Sequence, residues 1–154
     1  MDFYIKNTPE PLMELLKKID GLILNDSEAK LLTGELNYIA AARKILGWGP
    51  SFVIVKKGEN GAMYLSNDAI HLIPAYPTES VVDPTGAGDS FAGALMGWLA
   101  ATGKSDAASI PGTMARATII ASYNVEGFSL ERLQTLTSAE LEKRLDDFRK
   151  IITF

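Results

Sequence analysis

The sequence predicts an α/β layered domain with some antiparallel edge. Three observations predict it. Continuous apolar, partly β-branched runs at residues 21–24 and 52–55 read as buried strands. Stretches with helical spacing of apolar residues lie around them. A glycine-bounded turn at 58–61 leads from the second run into another strand-like run, the pattern of a hairpin.

In chain order, residues 2–5 read as a short strand, and Pro9 suits the first turn of a helix through Leu12, Leu15, Leu16 and Ile19. Asn25 follows the strand at 21–24 and precedes a short helix through Ala29, Leu31 and Leu32 that Gly34 can end. Residues 36–46 form a second helix, stopped by Gly47, Gly49 and Pro50. The run at 62–65 is the antiparallel partner of 52–55, and 70–73 is a further short strand. Pro74 and Pro77 mark an extended connection towards Val81 and Val82. From Ala87 the pattern is helical and rich in small residues (Ala92, Gly93, Ala94, Gly97, Ala100, Ala101), which predicts close packing against its neighbours. Residues 107–124 are a third long helical stretch, broken near Pro111 and Gly112. The last helix begins at Thr137, where Thr137 and Glu140 fit a capping box, and carries Leu141, Leu145 and Phe148. No repeat, low-complexity tract or flexible linker interrupts this order, so residues 1–154 read as a single α/β domain.

Bulk composition bounds the function. With 154 residues, 47% hydrophobic and 22% charged, the chain can build a proper core. A net charge of −4 gives no basic footprint for nucleic acid. There is no cysteine, which excludes disulfides and thiolate metal sites, and His71 is the single histidine. No apolar run reaches the roughly 18 residues of a membrane span, and residues 1–5 lack the flank of a signal peptide, so a cytoplasmic protein is expected.

The chemistry concentrates in Val81-Val82-Asp83-Pro84-Thr85-Gly86-Ala87-Gly88-Asp89-Ser90-Phe91. Gly86 and Gly88 remove side chains where a backbone must approach a ligand. A helix opening there offers unpaired N–H groups and the positive end of its dipole, which together cradle an anion. A carboxylate in the same turn suits one task beside a phosphoryl group in transfer: taking the proton from the attacking hydroxyl. Taken alone, Gly-x-Gly-Asp more often marks an aspartate that merely complements the helix dipole, beside glycines that allow tight packing.

The eleven residues from Asp83 to Gly93 resemble the C-terminal signature of the PfkB-type carbohydrate kinases, the superfamily that includes ribokinase and adenosine kinase. The resemblance implies a three-layer ribokinase-like sheet with flanking helices. It implies that Asp89 is the catalytic base and that the backbone at Gly86, Ala87 and Gly88 forms an anion hole for the γ-phosphate. It also implies a monovalent cation, K⁺, near Asp83 and Thr85. Upstream, Asn25-Asp26-Ser27-Glu28 resembles the family's Asn-x-x-Glu element, in which Asn25 meets phosphate and Glu28 meets Mg²⁺ through water. The same spacing is also a helix capping box. Residues 53–62 resemble the strand-turn-strand along the nucleotide, implying that Lys56, Gly58 and Gly61 lie near ATP. Here Lys56 and Lys57 replace the family's Thr-Leu step, losing a hydroxyl and gaining a cation. The run 121–127 resembles the family's late helix end, and Arg116 stands where members often carry Asn.

The resemblance implies ATP and a small sugar or nucleoside as ligands. Because members are about twice this length, it also implies that the N-terminal half of the fold is lacking. Residues 1–5 then resemble an interior strand, and self-association or a complementing N-terminal half is expected. A rival reading takes Gly88-Asp89-Ser90-Phe91 as an esterase element, which needs a histidine to activate Ser90. His71, in a strand-like run, is the one candidate.

Overall fold

The computed structural model describes residues 2–103 and 108–153. They form two compact units, Met1–Leu72 and Ile73–Phe154.

The first unit begins with helices α1 (Asp2–Asn7) and α2 (Pro9–Leu16), followed by β1 (Gly21–Asn25). Helices α3 (Asp26–Thr33) and α4 (Tyr38–Leu46) then lead to β2 (Phe52–Lys56), β3 (Ala62–Ser66) and β4 (Ile70–Ile73). The sheet order is β1-β2-β3-β4. β1 and β2 are parallel, with Gly21 opposite Phe52 and Asn25 opposite Lys56. The two helices between them supply the crossover that a parallel pair requires. β2 and β3 are antiparallel across the Gly58–Asn60 turn, as the glycine spacing predicts. One face of the sheet, with Leu22, Leu24, Val53, Val55, Met63 and Leu65, packs under Leu16, Ala29, Ala41, Ala42 and Ile45 in a buried core. Pro9 opens α2, and Gly34 closes α3 at φ 75°, both as expected. α4 starts at Tyr38 because the Asn37 carboxamide caps the Ile39 and Ala40 amides, leaving Leu36 outside and exposed.

Residues 2–5 are the clear departure: they are helical, not a strand. β1 is an edge of the sheet with no further strand beside it among the described residues. A strand without a partner leaves its N–H and C=O groups unmet, whereas a helix satisfies them internally. Phe3 and Tyr4 are both exposed, so no apolar face overrides that preference. Met1 lies outside the described residues.

The second unit is helical: α5 (Ala87–Thr102), α6 (Ile110–Asn124), the short α7 (Glu131–Gln134) and α8 (Ser138–Ile152). α6 is buried along its length and packs against α5, α7 and α8. Ala107, where the third long helix was expected to start, lies outside the described residues. α8 opens on the expected capping box, with Thr137 bonded to the Glu140 amide and the Glu140 carboxylate returned to the Thr137 N–H. The close packing expected of α5 against its neighbours is found along one side. Phe91 and Leu95 are buried, while Gly93 and Gly97 have nothing within 4 Å of where a Cβ would stand. No helix among the described residues is long and apolar enough to cross a membrane.

Candidate functional site

The second unit holds the glycine-rich segment at the start of α5. The Asp83 carboxylate accepts from the Thr85 N–H at 2.9 Å, an Asx turn that begins the loop. The Thr85 N–H and hydroxyl hold the Asp83 carboxyl below its usual range. Gly86 takes φ 82°, ψ −8°, a left-handed backbone that an L-side chain resists, and there the loop becomes a helix. The Ala87 N–H closes the turn on the Pro84 carbonyl at 3.2 Å, so that amide of the expected anion hole already has an acceptor. The first helical bond runs from the Ser90 N–H to the Gly86 carbonyl at 2.8 Å. The Gly86 and Asp89 amides have no acceptor among the described residues. Asp89 stands three residues into α5, exposed and without an ion pair among the described residues. This is the arrangement a proton acceptor beside a bound anion needs: an open carboxylate next to N–H groups at a helix start.

The loop is held from behind by the end of α6, within the run 121–127. The Asn124 side chain donates from Nδ2 to the Thr85 carbonyl at 2.9 Å and accepts from the Ser90 hydroxyl at 2.8 Å. The Val82 and Asp83 N–H groups both reach the Val125 carbonyl, at 2.7 and 3.2 Å. The resemblance of residues 121–127 to a helix end was the available signal, but nothing local marks Asn124 as a brace.

The first unit holds the other predicted residues at the carboxyl ends of its parallel strands, the edge where open α/β sheets bind ligands. Asn25 ends β1 and caps α3, its Oδ1 accepting from the Glu28 N–H at 2.7 Å. Glu28 returns the favour, its Oε2 accepting from the Asn25 N–H at 2.9 Å. The structural side of that spacing is therefore realised. Burial opposes the charge on Glu28, while the Asn25 N–H and the nearby Lys56 charge favour it; on balance the carboxyl lies below its usual range. Lys56 ends β2 in register with Asn25. Gly58 at φ 55° and Gly61 at φ 83° make the turn that follows, and Lys57 lies over the Tyr38 ring.

The Ser90 hydroxyl donates to Asn124 Oδ1, and His71 is a strand residue stacked on Tyr64. Arg116 lies over the Trp98 ring and pairs with Glu142, so its charge is used inside the helical unit.

Comparison with known proteins extends these findings. The model of the pfkB family carbohydrate kinases matches residues 2–131. A cytidine kinase of Thermococcus kodakarensis is 36% identical over 95 residues, spanning 60% of this chain and 34% of its own length. A deoxyribokinase of Salmonella typhi is 33% identical over 115 residues, spanning 71% of this chain and 36% of its own. An E. coli structure described as a ribokinase II, with ATP and Mg²⁺ bound, superposes with a TM-score of 0.77 at 28% identity. That match covers 94% of this chain and 45% of the other. The chain thus spans between about a third and a half of the length of these relatives, and the fold is ribokinase-like.

Proposed function

Since the chain belongs to the pfkB family of carbohydrate kinases, we propose that it serves ATP-dependent transfer of a phosphoryl group to a hydroxyl of a small sugar or nucleoside, with Asp89 as the catalytic base. The observation that carries this reading is the exposed Asp89 carboxylate, placed one helical turn from the left-handed Gly86 whose own amide lacks an acceptor. In this reading the acceptor hydroxyl gives its proton to Asp89 as its oxygen attacks the γ-phosphorus, the bond from that phosphorus to the β,γ-bridging oxygen breaks, and ADP leaves. Charge on the transferring group is met by the Gly86 N–H and by the α5 dipole, and Gly88, without a side chain, lets the backbone come close. Ala87 contributes its backbone position more than its amide, which the Pro84 carbonyl already holds.

Within the first unit, this reading assigns ATP contacts to Asn25, Lys56, Gly58 and Gly61. The two glycines let the backbone lie close to ATP, and Lys56 supplies a cationic contact. Glu28 fits Mg²⁺ held through water: a carboxyl kept below its usual range is ionised, and Mg²⁺ takes few protein ligands alongside phosphate oxygens. When bound, the metal would screen the phosphate charges. Asp83 and Thr85 fit a K⁺ site less well, because the Thr85 carbonyl and one Asp83 oxygen already accept protein N–H groups. No cation is assigned there.

A second reading, a nucleotide-binding unit that completes its acceptor pocket with a further polypeptide or a second copy, is favoured by the open face of α5. Asp89, Gly93 and Gly97 are exposed on that face, and the two glycines have no neighbour within 4 Å of a Cβ position. One experiment separates the two. ATP binding is measured by calorimetry, and phosphoryl transfer is assayed against pentoses, hexoses and nucleosides, for wild type and Asp89→Asn. Transfer that Asp89→Asn abolishes supports the kinase; ATP binding without transfer supports the second reading; neither signal overturns both.

A further inference from the structure

We propose that Asn124 is a positioning residue for the anion-binding loop: one buried carboxamide sets both the direction of the Thr85–Gly86 peptide and the place of the first turn of α5. The proposal rests on the kinase reading for its functional consequence, not for its structural one.

The peptide joining Thr85 to Gly86 is planar and trans, so its C=O and N–H point in opposite directions. Asn124 Nδ2 holds that carbonyl at 2.9 Å. The Gly86 N–H is thereby turned away from α6, and it has no acceptor among the described residues. On the other side of the same carboxamide, Oδ1 receives the Ser90 hydroxyl at 2.8 Å. Loop and helix start are therefore pinned to a single rigid plane. Neither can shift without stranding a polar group, because Asn124 is 1% exposed and no water could take its place cheaply.

Gly86 completes the arrangement. A Cβ on it would lie 3.7 Å from Asn124 Oδ1 and 3.8 Å from Nδ2, so the loop rests directly on the carboxamide. Donors aimed at developing charge act only if their direction is set before the reaction. Asn124 touches neither the expected anion nor Asp89; it acts through the loop. The bonds span 39 and 34 residues of sequence, which makes them a tertiary device.

The test uses Asn124→Leu, similar in shape but without polar atoms, and Ser90→Ala, which removes one arm. Amide hydrogen exchange is followed at Ser90, whose N–H bonds the Gly86 carbonyl, and kcat and KM are measured for ATP-dependent transfer. Asn124→Leu should speed exchange at Ser90 by about ten-fold while the middle of α6 is unchanged, and should lower kcat by about ten-fold with acceptor KM nearly constant. Ser90→Ala should give the same changes, smaller. Unchanged exchange at Ser90 in folded Asn124→Leu would overturn the proposal, as would a rise in KM with kcat intact. Should Asn124→Leu fail to fold, exchange of the residue-90 N–H in Ser90→Ala, whose acceptor is the Gly86 carbonyl, decides: faster supports, unchanged refutes. If the wild type transfers no phosphate yet exchange responds as stated, the kinase reading fails and the positioning role of Asn124 stands.

Discussion

Arg144 grips Glu126 with both arms of its guanidinium, Nη1 to Oε1 at 2.8 Å and Nη2 to Oε2 at 3.0 Å. The pair is 17% and 15% exposed, and the guanidinium also lies 3.5 Å from the centre of the Tyr123 ring. Glu126 Oε1 accepts a further bond from the Thr78 hydroxyl at 2.8 Å. One ion pair thus ties α8, the end of α6 and the extended segment that leads to Asp83.

Arg144→Met should destabilise the protein by about 2–4 kcal/mol, because it leaves the Glu126 carboxylate inside with only a hydroxyl for a partner. Adding Glu126→Leu to it should recover part of that loss, since two apolar groups need no partner. Urea unfolding of the two single variants and the double variant measures the coupling. Additive losses would show that the pair does not act as a unit.

The capping box of α8 should make stability depend on pH in the acid range. The Thr137 hydroxyl and N–H, with Arg132 Nη2, hold the Glu140 carboxyl down from 4.5 to about 2. A group whose folded pKa is depressed contributes stability above its unfolded pKa and loses it as pH falls through the folded one. The contribution should therefore be full above pH 4.5 and gone near pH 2. Melting temperature followed over this range should fall more steeply for wild type than for Glu140→Gln, and parallel curves would contradict the assignment.

Gly86→Ala should cost about 1–2 kcal/mol from the left-handed backbone alone. Space is not the obstacle, since the nearest atom to a Cβ there is 3.7 Å away. Gly86→Asn should be milder, because Asn visits that region more readily. Unfolding midpoints of the two variants give the comparison, and equal losses would point to crowding instead.

Asp89→Asn should lower kcat by about 10²–10⁴ while leaving ATP affinity within about two-fold, as removal of a general base does. Asp89 has no ion pair among the described residues, so the folded stability of this variant should match wild type. Near-normal turnover would exclude Asp89 as the base.

Much of the local structure was legible in the sequence because its causes are local. Pro9, Gly34, the Asn25–Glu28 box and the Thr137–Glu140 box act within four residues of where they stand, and each appears where its spacing predicts. The strands at β1, β2 and β3 announce themselves by continuous apolar character, and Gly58 and Gly61 by the turn between two of them. Residues 2–5 were misread because apolar, aromatic composition favours a strand only where a partner strand is at hand.

The sequence by itself determined where most of the helices begin and end and which runs are buried, because caps, glycine conformations and hydrophobic periodicity depend on near neighbours. Tertiary structure alone decided that Asn124 holds the Thr85 carbonyl, that Arg144 meets Glu126, and that one face of α5 stays open. Those outcomes depend on which distant backbone and side-chain groups arrive at hydrogen-bonding distance when the helices pack, and no short-range pattern encodes that meeting.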